Sequence, residues 1–377
     1  MKLLRIIIIT SFFEEKYGYQ EVHLANTLSK MGHEILILTS NRSPFSKERL
    51  KTETSKAYNV IRLNRNIRVV DTLFPLKPMR RHIKNFDPEI ALVVHIGHGI
   101  PYYSMKYLDD HVRKVTFFGD LRRQHASPRR RIIQTFLKNR WYYKSFKMSN
   151  LIIANTNETV DILSEKARFN EKLTSKLYRS SLGFDSSKFF LDVENRKKNR
   201  IKFGFPENSV VFCTTTKIVK RKPIIEWIHP ILDVLRENEN VFYCLAGFLD
   251  DDHSRSVEQK IKKIYNGDNL KLLPLLSFQE LNDLYNASDY SVWFDASITI
   301  QESMGTGLKV IIPNSKRVNH LVENDNGFLY NDLQEIHELI IKLSANYDRE
   351  SIAAKNKRLS YNELIIDIIN KVSATEN

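Results

Sequence analysis

The feature that most limits what this 377-residue chain can fold into is a repeated alternation. Short apolar runs rich in β-branched residues are separated by longer stretches with helical spacing, which is the pattern of buried parallel strands joined by crossover helices. In the first half the runs are "LLRIIIIT", "EILILTS", "YNVIRLN", "IALVVHI", "KVTFFGD" and "NLIIANT". Between the first two, Val22, Leu24, Ala25, Leu28 and Met31 keep one helical face and Gly32 ends the helix, so the segment reads as a βαβ unit. The pattern restarts at "VVFCTTT" and runs on through "VFYCLAG", "LKLLPLL", "YSVWFDA" and "LKVIIPN".

A single hydrophobic core stops growing near roughly 250–300 residues, so two doubly wound parallel sheets are expected rather than one. The polar stretch "DSSKFFLDVENRKKNRIKFGFPENS" is expected to be the linker. The fold class is therefore α/β, with Rossmann-like domains over 1–185 and 186–358. A helix over 359–377 is expected to pack back on the first domain.

Composition narrows the class further. With 42% hydrophobic and 27% charged residues the balance is globular, and no run approaches the roughly 20 apolar residues a bilayer requires. In the opening "MKLLRIIIITSFF" only Ile6 to Ile9 are continuously apolar, which fits a buried first strand better than an export signal. A cytoplasmic location is expected. Cys213 and Cys244 each fall inside a predicted strand and read as inert core residues, with no metal site implied.

The formal charge of +14 is concentrated. Between His111 and Asn150 there are eleven Lys or Arg against one acid, Asp120. Phe117, Phe118, Phe136, Trp141, Tyr142, Tyr143 and Phe146 are interleaved with them, as a surface meeting anionic headgroups with apolar insertion would require. That window predicts peripheral attachment to an anionic membrane surface. A solvated helical face with its aromatics in the core has the same signature. The charge would also suit nucleic acid, but no nucleic-acid partner is expected once the following motifs are weighed.

Three stretches carry candidate chemistry. In "TSFFEEKYGYQEVHLA", Gly18 stands between a strand and a helix, where a glycine lets a ligand approach the backbone. One glycine is not the three of a dinucleotide fingerprint, and an ordinary βα turn looks alike. In "TTTKIVKRKPIIEW", Lys217, Lys220, Arg221 and Lys222 come to the C-terminal edge of a predicted strand, where open α/β sheets bind ligands and where cations neutralise a diphosphate. In "SITIQESMGTGLKVIIPN", Ser297, Ile298, Thr299 and Ile300 read as a loop that offers backbone N–H groups, and Glu302 falls in the first turn of the helix after it. A carboxylate there can accept hydrogen bonds from two vicinal hydroxyls such as those of a ribose. It can also simply complement the helix dipole.

Taken in order, these residues resemble the GT-B nucleotide-sugar glycosyltransferases, in particular the retaining group called family 4 or group 1. The resemblance covers nearly the whole chain. "YGYQEVHLANTLSKMGHEILILTS" is similar to that family's opening helix and second strand. "SSLGFDSSKFF" resembles the signature that closes its first domain, through Gly183, Asp185 and Phe189. "TTTKIVKRK" looks like the basic donor-site segment, with Lys217 and Lys222 in the two basic positions. "LAGFLDD" resembles its glycine turn through Gly247, and "IQESMGTGLKVIIPN" with "NHLVENDNGFLY" matches its last two motifs.

The resemblance implies two domains facing a cleft, the first binding the acceptor and the second a nucleotide diphosphate sugar. The sugar nucleotide would be the donor substrate, with no separate cofactor. It implies that Glu302 holds the donor ribose while Lys217 and Lys222 hold the diphosphate without a metal. Retention of anomeric configuration follows, with transfer of a hexose to a cell-envelope polysaccharide, such as lipopolysaccharide, or to a lipid-linked glycan.

Two departures stand out. The family pairs Glu302 with a second glutamate eight positions earlier, where this chain has Phe294 and, beside it, Asp295. The first-domain histidine that contacts the sugar falls near "FFGDLRRQH", where Asp120 stands. His95 and His98 in "VVHIGHGIP" end another predicted strand and face the expected cleft, although loop histidines of this kind are often structural. At this level a nucleotide-sugar 2-epimerase on the same fold and a non-catalytic nucleotide-sugar-binding subunit stay open beside the transferase.

Overall fold

The computed structural model describes residues 3–15, 19–43, 49–54, 57–64, 66–69, 72–75, 79–119, 140–165, 171–323 and 325–374. The chain divides into two units, one comprising Met1–Leu182 with Leu364–Asn377 and the other Gly183–Glu363. The sequence placed these junctions at 185/186 and 358/359. Among the described residues no helix is long and apolar enough to cross a membrane.

Unit 1 is built on β1 (Arg5–Ile9), β2 (Glu34–Ser40), β3 (Glu53–Thr54), β4 (Asn59–Leu63), β7 (Ile90–Val93), β8 (Arg113–Phe118), β9 (Leu151–Ala154) and β10 (Leu177–Arg179), with β5 (Asn66–Val69) and β6 (Thr72–Pro75) forming a separate antiparallel ribbon. The large sheet runs β10-β9-β8-β7-β1-β2-β4-β3. All its pairs are parallel except β3 on β4. Strand β1 lies centrally, with Ile6 opposite Ile35 on one side and Ile90 on the other. Ile6 to Ile9 are wholly buried, as a strand covered on both faces must be. The helix Gln20–Lys30 follows β1 and ends where Gly32 adopts φ +88°. The terminal helix Tyr361–Ala374 returns the chain to this unit, where Asp367 accepts a hydrogen bond from the Tyr178 hydroxyl and Lys371 lies 4.4 Å from the Tyr178 ring centre.

Unit 2 carries an all-parallel sheet in the order β13-β12-β11-β14-β15-β16, comprising β11 (Val210–Thr215), β12 (Val241–Phe248), β13 (Leu270–Pro274), β14 (Tyr290–Val292), β15 (Lys309–Pro313) and β16 (Gly327–Tyr330). Its two faces pack separate apolar clusters, one around Phe212, Tyr243 and Val292 and the other around Cys213, Tyr285 and Trp293. Cys213 and Cys244 are buried and reduced, and burial raises both thiols.

Two expectations are corrected here. The segment expected to be a linker is part of unit 2. It contains the helix Arg196–Phe203, buries Phe189, and sends Arg196 and Arg200 to the buried Asp289 at 2.5 and 3.1 Å. Two of its charges are partners of a core carboxylate, while Glu194, Lys197, Lys198, Lys202 and Glu207 are exposed. The aromatic residues of the 111–150 window do not supply an inserting surface either. Phe117, Phe118, Trp141, Tyr142 and Phe146 are buried, and Phe118 meets Tyr142 and Phe146 edge-on in the core of unit 1. Tyr143 packs against the same cluster, while Phe136 and the basic residues of 120–139 lie outside the described residues.

Candidate functional site

In an open doubly wound sheet a crevice opens beyond the strand C-termini wherever successive strands are laid down in opposite directions. In unit 2 the chain adds β12 and β13 on one side of β11 and then β14 to β16 on the other, so the reversal lies between β11 and β14. In unit 1 it lies between β1 and β7. Those predicted site residues that are described lie at the strand ends beside these two reversals.

At the end of β11 two consecutive threonines organise the polar groups. The Thr215 hydroxyl pairs with the Tyr285 hydroxyl, and the Thr215 carbonyl accepts from Thr299 Oγ1 at 3.4 Å. The Thr216 hydroxyl accepts from Lys222 Nζ. Lys222 is half-buried, and burial, with Arg221 beside it, lowers its ammonium from the ordinary range while Asp295 opposes the change. Lys217 is exposed at the same strand end.

Gly247 sets the pitch of this turn. It sits at φ +126° in the β12 irregularity, and a Cβ there would lie 2.1 Å from the Thr216 carbonyl oxygen. The backbone of β12 thus presses against the turn that carries Lys217, and the Ile218 N–H donates to the Gly247 carbonyl at 3.1 Å.

After β14 the chain enters the helix Thr299–Gly305, two residues earlier than a loop over Ser297–Ile300 would allow. The N–H of Ile300 donates to Ser297 O at 3.3 Å, that of Gln301 to Ile298 O at 3.0 Å, and that of Glu302 to Ile298 O at 3.3 Å. The Thr299 N–H reaches Ser297 Oγ at 3.4 Å, and the Ser297 and Thr299 hydroxyls are 2.6 Å apart. Among the described residues only the amides of Ser297 and Ile298 lack an acceptor in this stretch.

Glu302 lies in the first turn of that helix, as its place in the sequence predicts. Its Oε2 is buried and has no hydrogen-bond partner. Burial pushes the carboxyl up to about 7, with the Lys188 ammonium pulling the other way. The fixed neighbours are built around it. Gln301 Oε1 accepts from the Gly183 N–H at 2.7 Å, and Gly305 packs on Phe184 so tightly that a Cβ would come within 2.4 Å of the ring. An orphaned buried carboxylate oxygen costs about 1–3 kcal/mol or more, so a group that would satisfy it gains that much in binding.

Phe294 stands eight positions before Glu302, at the place of the family's second glutamate. Its ring stacks on Trp227 with centroids 5.5 Å apart and an interplanar angle of 10°, which makes it a packing residue. Asp295 beside it accepts from the Ala296 N–H at 2.7 Å and lies 4.0 Å from Arg317.

In unit 1, His95 follows β7 and His98 closes the same turn, donating its N–H to His95 O at 2.9 Å. Thr10, just beyond β1, is 2.9 Å from His95 Nδ1. Gly18 and Asp120 lie outside the described residues. Lys188, Tyr285, Thr215, Thr216 and Thr10 are neighbours of the predicted residues that motif spacing did not single out. Lys188 falls inside "SSLGFDSSKFF", where Gly183, Asp185 and Phe189 carry the resemblance.

Two parallel-sheet units, each with polar residues at its strand-order reversal, define a GT-B chain, the fold of nucleotide-sugar glycosyltransferases. Residues 22–175, which lie in unit 1, match the sequence model of Glycosyltransferase Family 4. No curated protein matches the sequence. Among solved structures, a glycosyltransferase from Rickettsia africae is similar with a TM-score of 0.68 and 14% identity over 98% of both chains. Sucrose-phosphate synthase from Thermosynechococcus elongatus is similar at 0.64 and 12% identity, also over 98% of both. HepE from Anabaena, in a complex with UDP and glucose, is similar at 0.63 and 16% identity, over 98% of this chain and all of that one, 100%. At such identities the likeness is one of fold.

Proposed function

We propose that the protein is a retaining glycosyltransferase that moves a hexose from a nucleotide diphosphate sugar to a cell-envelope polysaccharide or a lipid-linked glycan. The observation that carries this is the unpartnered, buried Glu302 oxygen at the β11/β14 reversal, with the Lys217 and Lys222 turn at the end of the same strand β11. A pair of vicinal hydroxyls on the donor ribose satisfies the carboxylate. Lys217 and Lys222 neutralise the diphosphate, assisted by the Ser297 and Ile298 amides and by the backbone approach that Gly247 permits. Lysine ammonium groups supply this charge without a metal ion. HepE is recorded with UDP and with UDP-glucose, which favours UDP as the first nucleotide to test.

In the transfer step the bond from the anomeric carbon to the diphosphate oxygen breaks as the acceptor hydroxyl attacks from the same face. The hydroxyl proton passes to the departing phosphate oxygen, so no separate strong base is required. Gly18, Asp120 and His95 contribute the first-domain contacts to sugar and acceptor. The basic 111–150 window holds the enzyme on the inner face of an anionic membrane, through charge alone now that its described aromatics belong to the core. Vesicle co-sedimentation that is equal with and without anionic lipid would remove this last element.

Isothermal titration of UDP and GDP into the wild type and into Glu302→Ala tests the reading. Losing a charged contact at a preorganised site is expected to weaken nucleotide binding and donor turnover by about 10²–10³. No heat from either nucleotide with the wild type, or binding within twofold in the variant, would sink it.

A further inference from the structure

Three consecutive threonines, Thr214 to Thr216, run through the end of β11, and their hydroxyls are committed differently. Thr214 donates to the Val292 carbonyl at 2.6 Å, which ties β11 to β14. The Thr215 hydroxyl is buried against that of Tyr285. Thr216 is half-buried just past the strand, and its hydroxyl meets the Lys222 ammonium. An ammonium has three donors and no acceptor, so the direction of this bond is fixed and Thr216 Oγ1 accepts. The threonine's own proton then points away from Lys222, and among the described residues no group takes it. A donor is left over beside a cation.

The backbone holds that donor in place. The Thr216 N–H donates to the Ala246 carbonyl at 2.9 Å, and the Thr216 carbonyl lies where only a glycine at 247 can pass it. The Lys222 N–H closes its turn on the Val219 carbonyl at 2.9 Å, two residues before the helix Ile224–Glu237 begins. The Thr299 hydroxyl reaches the carbonyl of Thr215, the residue next to Thr216, at 3.4 Å. A hydroxyl that accepts from a cation is polarised, and its proton becomes a stronger donor. A neutral donor and a cation at one point match an anion that offers two oxygens.

We propose that Thr216 is a direct ligand of the donor diphosphate, its hydroxyl accepting from Lys222 and donating to an oxygen of the phosphate that Lys222 neutralises. That the anion is a nucleotide diphosphate rests on the transferase function proposed above. That this hydroxyl has a proton to give rests on the direction of the Lys222 bond alone.

Calorimetric titration of UDP, uridine and inorganic pyrophosphate into the full chain separates the two. Thr216→Val removes the hydroxyl and keeps the shape. It is expected to weaken UDP and pyrophosphate by about ten- to hundredfold, the range for a hydrogen bond to a charged group, and to leave uridine within about twofold. Thr216→Ser is expected to restore UDP binding to within about threefold of the wild type. In a Lys222→Ala background Thr216→Val is still expected to cost about fivefold or more, because the hydroxyl touches phosphate itself. No further loss in that background means that Thr216 acts only through Lys222, and overturns the proposal. UDP affinity within twofold of the wild type in Thr216→Val overturns it as well. Where Thr216→Val does not fold, Thr216→Ala carries the same expectations. A wild type that binds pyrophosphate through Thr216 but neither UDP nor GDP overturns the nucleotide and keeps the anion, whereas UDP binding indifferent to Thr216 leaves the donor site standing without it.

Discussion

The two edges of the unit 2 sheet treat charge in opposite ways. Where β14 begins, the buried Asp289 has both carboxylate oxygens engaged, Oδ1 by Arg196 at 2.5 Å and Oδ2 by Arg200 at 3.1 Å and the Val211 N–H at 2.8 Å. Arg349 beside it is partly buried and donates to the carbonyls of Tyr285, Asn286, Ser288 and Thr306, and burial of its guanidinium brings it down to about 10. Beyond the other end of β14, Glu302 keeps a buried oxygen with nothing to bind and a carboxyl pushed up to about 7. One edge uses charge to fasten helix ends to strands. The other leaves a buried carboxylate oxygen without a partner, which is the feature the proposed donor site rests on.

Breaking the fastened edge should have the largest effect. Asp289→Ala leaves two arginines near a buried site without their carboxylate, and is expected to destabilise unit 2 by about 3–5 kcal/mol in urea unfolding. A loss below about 1 kcal/mol would mean that the cluster is dispensable. Lys222→Ala at the open edge should act on binding instead, weakening UDP by about 1.5–3 kcal/mol in calorimetry while the urea midpoint stays close to that of the wild type. A fall in stability as large as the fall in affinity would erase the distinction between the edges.

The smallest effect is a gain. The Glu302 carboxyl lies higher in the folded state than its ordinary 4.5, so the folded chain holds the extra proton between that value and about 7. Its contribution to stability is complete below 4.5 and is lost as pH rises through about 7. Glu302→Gln should therefore be more stable than the wild type at pH ~8, by about 1–3 kcal/mol. That advantage should disappear in acid while UDP binding is lost at every pH. A variant less stable than the wild type at alkaline pH would show that Glu302 belongs with Asp289.

Much of the architecture was legible because parallel strands buried on both faces must be apolar throughout. Ile6–Ile9 and the strand around Phe212 and Cys213 could hardly be anything else. The place of Glu302 in the first turn of a helix was legible from the change between the apolar run that ends β14 and the small residues after Gln301. The 185–209 segment was misread because Arg196 and Arg200 look solvent-bound until Asp289, 93 and 89 residues away, is seen to receive them. Periodicity has no access to pairings of that range. Thr216 was invisible for a related reason, since its importance lies in where its single proton points. The aromatics near Trp141 show that interleaved charge and rings describe a helix half in the core as well as they describe a membrane surface.

The return of the last helix to unit 1 has a consequence for how the protein is made. Asp367 and Lys371 engage Tyr178, and Ile365, Ile368, Ile369 and Val372 are buried, so unit 1 is finished only by residues synthesised after all of unit 2. During synthesis the residues of unit 2 therefore all emerge before residues 364–377, which belong to unit 1.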